Sequence, residues 1–204
     1  MKKLFLTAAL ILLPLKSYAA DTLPVYISVG TGLTMTSDSN WSQSGVGSGS
    51  ISVDNSENFS GAVGTSFLKN TRTELEVSYR SANLSSISLN GGGTAALSGS
   101  SVNTWTYLVN GYYDFLEGQA IRPYVSVGLG AATHKGTLNG GGVAVSATDT
   151  EFAYQAGLGA TYSLTKNVGL WAGYRYLGSS DANFSGVKAS YGANELNAGL
   201  RYSF

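Results

Sequence analysis

Eight stretches of the chain alternate apolar and polar residues at every step. They run over about 24–35, 58–68, 73–83, 102–115, 122–135, 150–164, 168–178 and 193–204. A period of two belongs to a β-strand with two unlike faces, and no stretch carries a convincing 3.6-residue period. In the final stretch Leu196, Ala198, Leu200, Tyr202 and Phe204 share one face, and Glu195, Asn197, Gly199, Arg201 and Ser203 share the other. A soluble protein seldom ends on a strand whose apolar face carries Tyr and Phe at the terminus. A strand between lipid and a polar lumen does so readily.

The connections alternate in length. Those at 69–72, 116–121 and 165–167 are short, whereas those at 36–57, 84–101, 136–149 and 179–192 are long and rich in Gly, Ser and Asn. The pattern predicts an all-β fold: an eight-stranded antiparallel up-and-down transmembrane β-barrel with short periplasmic turns and long extracellular loops. An even strand number places both ends of the barrel on the periplasmic side.

The contents of the two faces decide which one meets lipid. One face collects Val25, Ile27, Val29, Leu33, Phe59, Val63, Phe67, Leu75, Val77, Tyr79, Trp105, Tyr107, Val109, Tyr113 and Phe115. It continues through Val125, Val127, Leu129, Ala131, Phe152, Tyr154, Ala156, Leu158, Ala160, Tyr162, Val168, Leu170, Ala172, Tyr174 and Tyr176. The other face holds Glu74, Glu76, Arg80, Asp114, Arg122, Glu151, Arg175, Glu195 and Arg201, every charge within the segments apart from end residues such as Lys135. An arginine turned to lipid costs about 2–4 kcal/mol at mid-bilayer. Turning four outward would approach about 10 kcal/mol, the stability of a whole domain. These nine residues are therefore expected to form a lumenal polar network of charge-assisted hydrogen bonds.

Aromatics on the lipid face fall at two heights. Trp105 and Tyr107 are followed by Tyr113 and Phe115, Phe59 by Phe67, and Phe152 and Tyr154 by Tyr162. The ten-residue rise from Trp105 to Phe115 is about 33 Å, or about 25 Å after a 40° tilt, the height of the apolar band between two aromatic girdles. Inward glycines recur as Gly30 and Gly32, Gly128 and Gly130, Gly157 and Gly159, and Gly169 and Gly173. They either make room for Tyr124, Trp171 and the arginines or mark bends in a tightly curved wall. Leu89-Asn90-Gly91-Gly92-Gly93 and Leu138-Asn139-Gly140-Gly141-Gly142 echo one another at the middle of two long loops. Asn-Gly is a hairpin turn signal. Strands three and four, and five and six, should thus continue above the membrane as hairpins, with Ile87 and Leu89 against Ala95 and Leu97.

The N-terminus adds a compartment. Lys2 and Lys3, the apolar run Leu4–Leu15 and the small residues of Ser17-Tyr18-Ala19 read as a cleaved secretory signal over 1–19, leaving 20–204 as the barrel. Cleavage after Ala20 is the alternative. The chain has 12 basic and 12 acidic residues; without Lys2, Lys3 and Lys16 the balance is 9 against 12, so the mature charge is −3. No basic field invites nucleic acid. Cysteine is absent, so export brings no disulfide framework.

Candidate chemistry is sparse. Gly157-Leu158-Gly159 lacks the third glycine and following helix of a dinucleotide site. Neither a His pair nor a carboxylate cluster has metal-ligand spacing, so no metal or cofactor is expected. The single histidine, His134, reads as a residue of the outer rim that Ser146 or Asp149 could approach across its hairpin. That keeps open an enzyme acting on membrane lipid, since such chemistry needs His, a nucleophilic Ser and a carboxylate. The inward charges also admit a narrow small-solute pore, although a barrel this size has room only for packed side chains. A soluble exported β-barrel carrier would instead bury its apolar face.

Four segments together resemble the opacity-type outer-membrane β-barrel and surface-antigen family. They are Arg122-Pro123-Tyr124-Val125-Ser126-Val127-Gly128-Leu129-Gly130, Phe152-Ala153-Tyr154-Gln155-Ala156-Gly157-Leu158-Gly159-Ala160, Val168-Gly169-Leu170-Trp171-Ala172-Gly173-Tyr174-Arg175-Tyr176 and the closing 196–204. The likeness is best over about 122–204 and diffuse before it. It implies an eight-stranded barrel in the outer membrane of a Gram-negative bacterium, bathed in outer-membrane lipid. It implies that Tyr202 and Phe204 are the assembly signal read by the outer-membrane assembly machinery. It further implies a structural or surface-interaction role as adhesin or surface antigen, without catalysis, by a monomer whose extracellular loops meet a host or surface protein.

Overall fold

The structure, a computed structural model, describes residues 24–204 apart from 38, 44–46, 91, 117, 141–142 and 185–186. The signal segment 1–19 and Gly91, Gly141 and Gly142 lie outside the described residues. Ten strands follow one another: β1 (Val25–Thr36), β2 (Ser39–Gln43), β3 (Gly47–Val53), β4 (Ser56–Leu68), β5 (Thr71–Leu89), β6 (Thr94–Asp114), β7 (Ile121–Gly140), β8 (Val143–Ser163), β9 (Val168–Phe184) and β10 (Val187–Ser203).

Eight of them, β1 and β4 to β10, close an antiparallel cylinder in sequence order. The closing seam joins β1 to β10 from Tyr26 opposite Ser203 to Thr36 opposite Ala193. Closure leaves no exposed sheet edge in the wall, which lipid cannot tolerate. Asn70, in the two-residue turn between β4 and β5, has φ 65°, a left-handed conformation that Asn adopts at low cost.

The wall is turned as the alternation requires. Val29, Leu33, Val127, Leu129 and Leu158 are each at least 58% exposed on the outside. Buried polar residues outnumber buried apolar ones nineteen to nine among the described residues, the inverse of a soluble core. The outer face must therefore meet hydrocarbon, and the soluble-carrier alternative falls.

Three inward aromatics explain the inner glycines. The strand register sets Trp171 beside Gly199, and Gly199 beside Gly30. A Cβ on either glycine would run into the Trp171 ring. Tyr124 lies in the same way over Gly159 and Gly173, and Tyr26 over Gly64. Each ring leans along a cross-strand row onto neighbours that lack a side chain, so a narrow lumen holds large aromatics flat against its wall. Of the two readings of these glycines, room for bulky side chains is the one with visible contacts.

The first long connection departs from the sequence reading. Residues 36–57 are expected to form a loop, yet they contain β2 and β3. The wall strands β1 and β4 stop at Thr36 and Ser56 while their neighbours β10 and β5 continue upward. That leaves two unpaired strand edges. The β2–β3 hairpin fills the gap, pairing β2 with β10 (Trp41 opposite Ala189) and β3 with β5 (Ile51 opposite Ile87). The 179–192 connection likewise turns out to be the ends of β9 and β10. The hairpins expected at the Asn-Gly echoes are present as β5–β6 and β7–β8, with Ile87 opposite Ala95. Leu89, however, pairs with Gly49 of β3.

Candidate functional site in the barrel lumen

Among the described residues, inward positions of the wall strands bring eleven charged side chains into or beside the lumen, and eight of them assemble into two connected clusters. The lower cluster centres on Arg72, the first inward residue after the Asn70 turn. Its Nε donates to Asp114 Oδ2 at 3.0 Å, and its Nη1 donates to Glu74 Oε1 at 2.7 Å and Tyr26 Oη at 3.2 Å. The guanidinium lies 3.6 Å over the Tyr112 ring and 5.1 Å from that of Tyr124. Glu74 also accepts from Tyr26 Oη at 2.7 Å and Tyr112 Oη at 2.9 Å. Arg201 reaches Glu74 only at 3.6 Å and rests 4.6 Å over Tyr26.

The upper cluster centres on Glu195, which is fully buried. Arg80 binds it with two nitrogens, a short Nε contact to Oε1 and Nη2 to Oε2 at 3.1 Å. Arg175 donates Nε to Oε2 at 2.6 Å, and Thr34 donates to Oε1 at 3.2 Å. Arg175 then spans to Glu76 through Nη1 at 2.8 and 3.0 Å. Asn110 donates to Glu76 at 3.1 Å, and Gln155 donates to Asn110 at 2.6 Å. Arg80 Nη1 also donates to Ser78 and Thr106. Charges this far from water persist only when paired and hydrogen-bonded on several sides, and each central carboxylate here has two or more donors.

Seven of the nine residues singled out by alternation therefore stand in these clusters: Glu74, Glu76, Arg80, Asp114, Arg175, Glu195 and Arg201. Two do not. Arg122, near the lower mouth, has a buried Nε without a partner. Glu151, near the upper mouth, accepts from Ser180 Oγ at 2.8 Å. Arg72 escaped the sequence reading because it follows a turn directly. Stepping back by two from Glu76 and Glu74 would have placed it inside. Tyr26, Tyr112, Asn110 and Gln155 carry no charge and gave no signal of their own.

His134 also differs from expectation. It is buried, 3% exposed, because it faces inward and β7 continues above it as far as Gly140. Its ring meets Thr104 Oγ1 at Nδ1 (2.9 Å) and Ser179 Oγ at Nε2 (3.5 Å), and packs 4.9 Å from Tyr191. Ser146 pairs instead with Thr137, whereas Asp149 stands directly opposite His134 in the β7–β8 register, as the sequence allowed. Thr104 occupies Nδ1, the nitrogen at which an orienting carboxylate sits in a nucleophile-activating triad.

Comparison with known proteins adds what geometry alone leaves open. Over 103 residues the chain is 39% identical to the outer membrane protein PagN of Salmonella typhimurium, a match covering 48% of this chain and 42% of PagN. The chain thus spans under half the length of that relative. Among solved structures, Neisserial surface protein A superposes with a TM-score of 0.54 at 21% identity, covering 88% of this chain and 97% of that one. OprG of Pseudomonas aeruginosa gives 0.59 at 16%, covering 89% and 96%. Ail of Yersinia pestis, bound to the heparin analogue sucrose octasulfate, gives 0.51 at 17%, covering 88% and 100%. At these identities the structural likenesses speak for the fold. The sequence itself matches the family described as outer membrane protein beta-barrel domain over residues 5–204. A sealed cylinder, greasy outside and ionic within, carrying that family's pattern over nearly its whole length, belongs to the outer-membrane β-barrel domain family and resides in the outer membrane of a Gram-negative bacterium.

Proposed function

We propose that this protein is a monomeric, non-enzymatic barrel whose wall anchors an extracellular platform for binding another protein, with the lumenal ion pairs as a structural plug. One observation carries the reading. The strands that outrun the lipid band are long, β5 with 19 residues and β6 and β8 with 21 each, and the inserted β2–β3 hairpin bridges the upper ends of β5 and β10. A transmembrane strand needs only about 9–11 residues. The surplus is built structure facing the medium. The long connections are weakly acidic in sequence, with Asp38, Asp54, Glu57, Asp149 and Asp181 against Lys135 and Lys188. That composition favours a protein partner over a polyanionic glycan such as Ail's ligand analogue.

Replacing residues 86–96 and 138–144 by two-residue Asn-Gly turns tests the proposal. Attachment of bacteria to protein-coated or cell surfaces should fall to background, with heat-modifiable gel mobility showing the barrel still folded. Unchanged attachment would overturn it. Tyr202 and Phe204 are proposed to be the signal read by the assembly machinery. In the folded barrel their rings meet edge-on at 5.2 Å and stay exposed on the outer face. Deleting Phe204 should lower the amount in the outer membrane several-fold without altering synthesis, as blotting of fractionated envelopes would show.

A further inference from the structure

Between the two charge clusters lies a cavity of about 40 Å³. By volume it suits a single monatomic ion or about three waters. Arg72, Arg175, Arg201 and Trp171 line it, together with Glu74 and Glu76. Each of the first four has one buried nitrogen with no protein partner: Arg72 Nη2, Arg175 Nη2, Arg201 Nε and Trp171 Nε1. Two buried acceptors on the same wall, Gln155 Oε1 and Asn197 Oδ1, are also without partners. Orphaned donors thus outnumber orphaned acceptors by two to one, and three of those donors are cationic. Behind the lining Arg72 is held by Asp114 and Arg175 by Glu195, so the two clusters together balance four arginines with four carboxylates. Arg201 is the least compensated, since its ion pair with Glu74 is stretched to 3.6 Å. Leaving such donors dry is costly.

We propose that this cavity binds a monovalent inorganic anion of halide size. The ion would accept from the guanidinium nitrogens and the indole N–H that no protein acceptor meets. A hydrated cation fits poorly, because the unmet groups are mainly donors. The site is distinct from any extracellular binding, so its failure would leave the proposed surface role untouched.

Crystals of the refolded barrel grown in sodium bromide should show an anomalous bromide peak within contact of Arg201 Nε and Trp171 Nε1. In solution, chloride should raise the unfolding temperature in a saturable manner relative to gluconate, which is too large to enter. Trp171→Phe keeps an aromatic ring on Gly30 and Gly199 but deletes one donor. It should raise the half-saturating chloride concentration about tenfold. Arg201→Gln, which removes the Nε donor and its charge, should weaken the chloride effect at least as much; where that variant does not fold, Trp171→Phe still supplies the comparison. A lumen without an anomalous peak, with equal melting in both salts, would show that water alone meets these donors and would overturn the proposal.

Discussion

Glu195 is the residue on which the upper plug turns, because one carboxylate serves two arginines from different strands. Glu195→Gln should leave Arg80 and Arg175 sharing a neutral acceptor at zero exposure. Removing one member of a buried ionic set costs about 3–5 kcal/mol. A comparable drop in unfolding free energy is expected from urea titration of the micelle-bound barrel followed by tryptophan fluorescence. The inner glycines give a second residue-scale test. Gly30→Ala would force the Trp171 ring off the wall, an overpacking loss of about 1–3 kcal/mol. In the Gly30→Ala/Trp171→Ala double variant the clash vanishes, so the two losses should be less than additive. Side chains of this kind were only partly legible in the sequence. Charges on the alternating face announce themselves, since lipid forbids them elsewhere. Uncharged partners such as Asn110 and Gln155, or a wall glycine beneath a ring, become recognisable only once strand register is known.

At the scale of elements, the membrane-spanning parts of β1 and β4 to β10 were readable because bilayer and lumen impose opposite demands on successive residues. Above the lipid that constraint ends. β2 and β3 form where two edges lack partners, a long-range cause that no local pattern encodes. His134 was misplaced for the same reason, since the continued pairing of β7 with β8 is what buries it. Excising residues 38–55 and joining the ends with a short turn should therefore spare the lipid-level wall. It should expose the upper parts of β5 and β10, so that limited proteolysis of intact cells cuts near Leu89 and Val187 in the variant and not in the parent. Equal resistance in both proteins would contradict the pairing role given to the hairpin.

For the whole molecule, the cross-section is filled at successive heights by the lower cluster, the upper cluster and the His134–Thr104–Ser179 group. Planar bilayers containing the protein should show no conductance steps of porin size in molar potassium chloride. Frequent large steps would mean that the ionic plug is displaced under voltage.

The seam between β1 and β10 has a consequence for biogenesis. The hoop is joined by its first and final staves, with the Phe204 amide donating to the Val25 carbonyl at 3.0 Å. A chain cut short before β10 cannot settle into a smaller ring; it is an open ribbon whose raw margins seek foreign strands. Premature stop codons or a nick that releases this stave should yield material cleared by envelope proteases, not a reduced but serviceable protein.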